Sequence, residues 1–253
     1  MLPSVVGHNR VARVVHGGDM TSYSLAEHVH ACLANGHIVF LDIENDKYTA
    51  LPPEVSKRLG TLVANRKVDA AAVEAGGPES RNALANLLAR GMVQAGASRS
   101  AEVRSRPVGP PRRDLSEANI EGRRPLAFHH AANFLYAYVR AVVGKKILGN
   151  NRVIRSLSRG RARIASARSP QHTLEELLEA LRFIRIFFYR EIDHCYFDCI
   201  VHMYFLRRYG FDPVWVFGVQ MEPFHAHCWV QVGDVLVTNY LGETNMLHPI
   251  LAV

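Results

Sequence analysis

The chain has 253 residues, 48% of them hydrophobic, and its 30 Lys and Arg outweigh 23 Asp and Glu for a net charge of +7. That is enough apolar material for one large domain or two modest ones, which excludes a disordered chain. The longest apolar stretches, near residues 126–143 and 177–189, are each interrupted by His or Arg before the roughly 20 residues that a membrane span needs. The first 20 residues carry no sustained apolar run of the signal-peptide kind. Four cysteines, Cys32, Cys195, Cys199 and Cys228, are too few and too oddly spaced for a disulfide framework. Reduced thiols and a cytoplasmic location are therefore expected.

In chain order, the first pattern is HVHACLA, Asn35-Gly36, HIVFLDI, ENDK and YTAL. Asn-Gly between two apolar runs signals a hairpin, because both residues tolerate positive φ, and the whole reads as a three-stranded antiparallel sheet. Pro52-Pro53 then opens a helical pattern with Val55, Leu59, Leu62 and Val63 on one face. A second helix over ESRNALANLLAR ends at Gly91. A sheet followed by helices predicts a small winged-helix-like domain over 21–94. Residues 95–114, rich in Ala, Gly, Ser, Arg and Pro, read as a linker.

Helical patterns resume with LAFHHAANFLYAYVRAVV and with TLEELLEALRFIRIFF, where Thr173 and Glu176 have the spacing of a capping box. Between them, Lys145 to Arg168 holds eight Lys or Arg and no acid. Such a run suits a solvated loop, a nucleotide, an acidic partner or an acidic membrane surface. It lacks interleaved aromatics and any helix-turn-helix or zinc-finger spacing, so nucleic acid is not an expected partner. A third helix, YFDCIVHMYFLRRY, closes at Gly210, and the strand-like runs PVWVFGVQ, HCWVQVG and VLVTNY follow. Helices first and antiparallel strands after predict a second α+β domain over 115–253.

The chemistry concentrates in that second domain. A cysteine at a helix N-terminus gains thiolate character from the unpaired N–H groups there. A histidine on a following strand can take and return its proton, and a third polar group fixes the imidazole tautomer. Cys195 at the start of its helix, His227 in AHCW and Asn239 in VLVTNY supply that order. Cys199, one turn further in, is expected to pack. His225 is expected on the strand face opposite His227, so that only His227 meets the thiol. A zinc site from Cys195, Cys199, His227 and Cys228 is disfavoured, because 227 and 228 diverge on a strand and no C-x-x-C is present. No metal is assigned.

The stretch CYFDCIVHMYFLRRYG, with VWVFGVQMEPFHAHCWVQVGDVLVTN after it, resembles the transglutaminase-like cysteine-peptidase domain of lasso-peptide B proteins, which remove the leader from lasso-peptide precursors. The resemblance implies a fold of transglutaminase and papain type over about 115–253, with Cys195 as nucleophile and His227 as base. Asn239 stands where the family usually has Asp. Likewise YSLAEHVHACLANGHIVFLDIENDKYTALP resembles the leader-recognition domain of such proteins. This implies capture of the leader as an added strand, with Leu41, Tyr48, Leu51, Leu84 and Leu88 as candidate pocket residues. The implied partners are the precursor leader and an ATP-dependent, asparagine-synthetase-like lasso cyclase. No cofactor is expected on this chain itself, and ATP enters only through that partner. Two other readings stay open: an inactive scaffold that binds the leader for the cyclase, and an acyltransferase using the same triad.

Overall fold

The computed structural model describes residues 22–96, 103–115, 127–159, 172–189 and 195–253. The Asn35-Gly36 turn forms as its sequence dictates, with φ of 48° and 81°. It joins β2 (Val29–Ala34) to β3 (His37–Asp42), and β4 (Lys47–Leu51) completes an antiparallel sheet in the order β2-β3-β4. A smaller sheet, absent from the sequence-based expectation, sets β1 (Ser22–Leu25) between β5 (Lys67–Asp69) and β6 (Val93–Ala95).

The helical segment after Pro53 divides at Gly60 into α1 (Pro53–Leu59) and α2 (Thr61–Ala64). A short α3 (Ala70–Ala75) precedes α4 (Gly77–Ala89). From β3, Ile38 and Phe40 face these helices and join Val55, Leu59, Leu84 and Leu87 in one core. The alternate residues Val39 and Leu41, with Cys32, Ala34 and Ile43, face the other way and enter the core of the C-terminal part. A strand buried on both faces reads as a continuous apolar run, and HIVFLD does. This sheet is therefore a shared wall between two cores.

The C-terminal part is built on a five-stranded sheet ordered β11-β8-β9-β10-β7. Its members are β7 (Arg113–Asp114), β8 (Val214–Gln220), β9 (His225–Val232), β10 (Val235–Leu236) and β11 (His248–Ala252). All neighbours are antiparallel except β7 and β10. Helices α5 (Phe128–Val143), α7 (Leu174–Arg185) and α8 (Cys195–Arg208) pack together, and the face of the sheet bearing Trp215, Phe217, Cys228 and Val230 closes the core against them. Helix α8 buries residues around most of its circumference, as a central helix must. Helix α7 starts with the anticipated capping box: Glu176 N–H donates to Thr173 Oγ1, and Thr173 N–H donates to the Glu176 carboxylate, both at 3.2 Å.

Two regions differ from their sequence-based reading. Residues 103–114 of the expected 95–114 linker run along the C-terminal sheet and lead into Leu115. Val103 and Leu115 are buried there, and Arg106 forms a two-pronged pair with Asp212 at 2.7 and 3.2 Å. Proline content alone did not reveal this, because the segment docks mainly through side chains and scattered backbone bonds rather than through a long ladder. Part of the basic run is also structured. A π-helical turn (Gly144–Leu148) leads into α6 (Asn150–Arg159), which buries Val153, Ile154 and Leu157 while its arginines reach outward, Arg155 to Glu44 at 2.9 Å. Arg161, Arg163 and Arg168 lie outside the described residues.

Candidate functional site

Cys195 is the first described residue of α8 and is solvent-exposed, whereas Cys32, Cys199 and Cys228 are buried. The neighbouring thiol of Cys228 on β9 is the main cause of a strongly raised Cys195 pKa. Partial burial and the nearby Cys228 and Asp198 push the same way, and only the Tyr196 backbone N–H pulls down. The helix-terminus stabilisation expected for a thiolate is thus outweighed locally. Cys199, one turn on, lies 3.9 Å from the Cys228 sulfur and 3.5 Å from the Cys228 carbonyl oxygen, so it packs as the sequence suggests.

Side chains alternate along β9. Cys228 points toward α8, while Trp229 packs on the opposite face with Val214, Val216, Leu236 and Leu247. His227 and His225 share the parity of Trp229. The expectation that the two histidines face opposite ways is corrected here: residues two apart on a strand share a face. Their rings stack with centroids 5.9 Å apart and an interplanar angle of 13°. Gly218 is the cross-strand partner of His227, and any side chain there would run into Trp229 and Leu247.

On that face, His225 Nε2 lies 2.8 Å from Glu243 Oε1, on α9 (Leu241–Thr244). Donor atoms of His225, His227 and Glu243 all fall within 4.8 Å of one another. Burial lowers the His227 pKa, partly offset by the Glu243 charge. The Glu243 carboxylate is held below its usual range despite partial burial, through His225, His227 and Asn239. Asn239 adopts φ 69°, the left-handed conformation that Asn tolerates better than most residues. Its buried Nδ2 makes no full hydrogen bond, yet its side chain approaches Glu243 closely enough to help keep that carboxylate ionised.

The predicted residues therefore fall into two groups. The structure brings His227 and Asn239 together around Glu243, and it sets Cys195 with Cys228 and Cys199 on the helix side of β9. Sequence reasoning missed Glu243 and the pairing of both histidines with it; the available signal was the His-x-His spacing in a strand, followed by an acid in the next turn.

A family model described as transglutaminase-like superfamily matches residues 135–252. Those residues make up most of the C-terminal part, which is thus similar to that superfamily. The match spans Cys195, His227 and Asn239. No curated protein and no solved structure matches the chain. No helix among the described residues is long and apolar enough to cross a membrane.

The residues singled out for leader binding are dispersed. Leu41 is buried toward the C-terminal part, and Tyr48 packs against the same core with its ring edge-on to Phe224 at 5.9 Å. Leu84 is buried in the other core, and Leu88 is half-buried against it. Leu51 lines a groove of about 630 Å³ between β4 and α4, together with Thr49, Ala50, Asn82, Ala83, Asn86 and Arg90. The edge of β4 away from β3 pairs with no other strand among the described residues.

Proposed function

We propose that this protein captures the leader of a ribosomally made lasso-peptide precursor and cleaves it from the core. Cleavage uses Cys195 as nucleophile, His227 as general base and then acid, and Asn239 as the group that orients the imidazole. The observation that carries this reading is an exposed cysteine at the head of α8, with His227 and Asn239 in family order inside the matched transglutaminase-like region. Because His227 lies on the Trp229 face of β9 and Cys195 on the Cys228 face, catalysis requires the start of β9 to turn so that the His227 imidazole leaves Glu243 and meets the Cys195 sulfur. Proton transfer would then generate the thiolate that the resting contact with Cys228 disfavours.

The N-terminal part is read as a winged-helix-like leader reader. Its groove between β4 and α4 combines an open strand edge with an apolar floor, which suits an extended peptide added as a further strand. Release of the leader would free the core's amino group for ring closure by the ATP-dependent cyclase, in the cytoplasm. The deciding experiment incubates the wild type and Cys195→Ala with the cognate precursor and follows products by mass spectrometry. Cleavage by the wild type alone supports the peptidase; equal products in both samples end it, and a mass gain from an added amine would instead mark an acyltransferase. Filling the groove with Asn86→Trp should weaken leader binding without unfolding the protein, because Asn86 is exposed.

One observation favours the second reading, an inactive leader-binding scaffold: the Cys195 thiol is engaged by Cys228 while the imidazole faces Glu243. That reading predicts leader binding through the groove with no cleavage by either protein.

A further inference from the structure

We propose that His225, His227 and Glu243 form a binding site for one divalent transition-metal ion, with zinc the best chemical match. Two imidazoles and one carboxylate are the donor types such ions favour. The fold supplies them from two elements: the period of β9 aims both imidazoles to one side, and α9 brings the carboxylate against them. The rings are parallel and 5.9 Å apart, a clamp rather than a random surface pair. Donor atoms around a tetrahedral zinc with bonds of about 2.0–2.1 Å lie about 3.4 Å apart. A set already gathered within 4.8 Å reaches that spacing by small rotations of three side chains.

Two further features fit a metal better than a plain ion pair. The first is the Asn239 side chain, held at φ 69° and turned toward Glu243, as an outer group that orients a ligating carboxylate is placed. The second is access combined with support: the His225 side chain is 45% exposed, so an ion can enter from solvent, whereas that of Glu243 is only 18% exposed and firmly seated. Three protein donors leave a fourth position open for water or for a group on a bound peptide.

The site stands apart from the peptidase reading, although the two share His227. An imidazole that ligates a metal has no lone pair free to take a thiol proton, so an occupied site and an active Cys195 exclude each other. The ion would act on the peptidase as a reversible inhibitor.

The test uses tag-free, full-length protein stripped with a chelator, because the chain carries 13 histidines and weak background binding must be separated from a built site. Zn²⁺ is titrated by calorimetry, and Co²⁺ is followed by its visible ligand-field absorption. The expected result is one equivalent bound with a low-symmetry four-coordinate cobalt spectrum. His225→Ala and Glu243→Gln should each weaken binding by about tenfold or more, and Asn239→Ala less. Cys195→Ala, in which any peptidase activity is gone, should bind as the wild type does, so the two readings fail separately. Binding absent with both ions, or undiminished in the double variant His225→Ala/Glu243→Gln while circular dichroism shows it folded, overturns the proposal.

Discussion

Replacing His30 with leucine should remove a large part of the protein's acid sensitivity. His30 lies on β2 opposite Leu41, is 3% exposed, and its Nε2 has no hydrogen-bond partner. Burial, with the positive charges of Arg66 and His28 adding to it, lowers its pKa from 6.5 to about 4. The unfolded chain therefore binds a proton at this residue as the pH falls through about 6.5, while the folded chain stays neutral there until about pH 4. Stability from this source is intact above pH 7 and declines as pH falls across that window. A separation of about two and a half pH units, at about 1.4 kcal/mol each, amounts to about 3.5 kcal/mol once fully expressed, and to about 2.5 kcal/mol at pH 4.5. Urea unfolding of wild type and His30→Leu at pH 7.5 and 4.5 checks this. Packing differences shift the variant equally at both pH values, so its loss between them should be smaller by about 2.5 kcal/mol. Parallel pH dependences for the two proteins, or an NMR titration midpoint for His30 above pH 6, would refute the reasoning.

Three further outcomes are expected. Gly218→Ala should destabilise by about 1–3 kcal/mol in thermal or urea unfolding, because its Cβ would lie 2.6 Å from the Trp229 ring and 2.9 Å from Leu247 Cβ. Asp198→Ala should cost about 3–5 kcal/mol, since it strips a buried carboxylate from Arg185 at 3.1 Å, the Tyr189 hydroxyl at 2.8 Å and the His202 ring. In native protein a thiol reagent such as 5,5′-dithiobis(2-nitrobenzoate) should modify one cysteine, absent in Cys195→Ala. Its rate at neutral pH should be slower than that of a free cysteine and should climb with pH, because the raised pKa limits the thiolate fraction.

Local signals were legible where local chemistry decides structure. The Asn35-Gly36 hairpin and the Thr173–Glu176 capping box are each fixed by residues within one turn or hairpin. Pairings set by distant chain were not. Strand β1 gains its partners from residues 67–69 and 93–95, and the two-residue β7 becomes a strand only by lying parallel to β10. Within the site, order along the chain singled out Cys195, His227 and Asn239, but which of them meet depends on the parity of β9 and on the packing of α8 over Cys228. Glu243 carried no pattern of its own, and only the turn onto α9 brings it to the histidines.

The sheet β2-β3-β4 constrains how the protein could be re-engineered. Its inner face, Cys32, Ala34, Val39 and Leu41, is hydrophobic cladding for the C-terminal part, so exchanging the whole front half for another domain would leave that cladding mismatched. The groove rim formed by Thr49, Ala50, Asn82, Asn86 and Arg90 can instead be reshaped by substitutions that leave the inner face untouched.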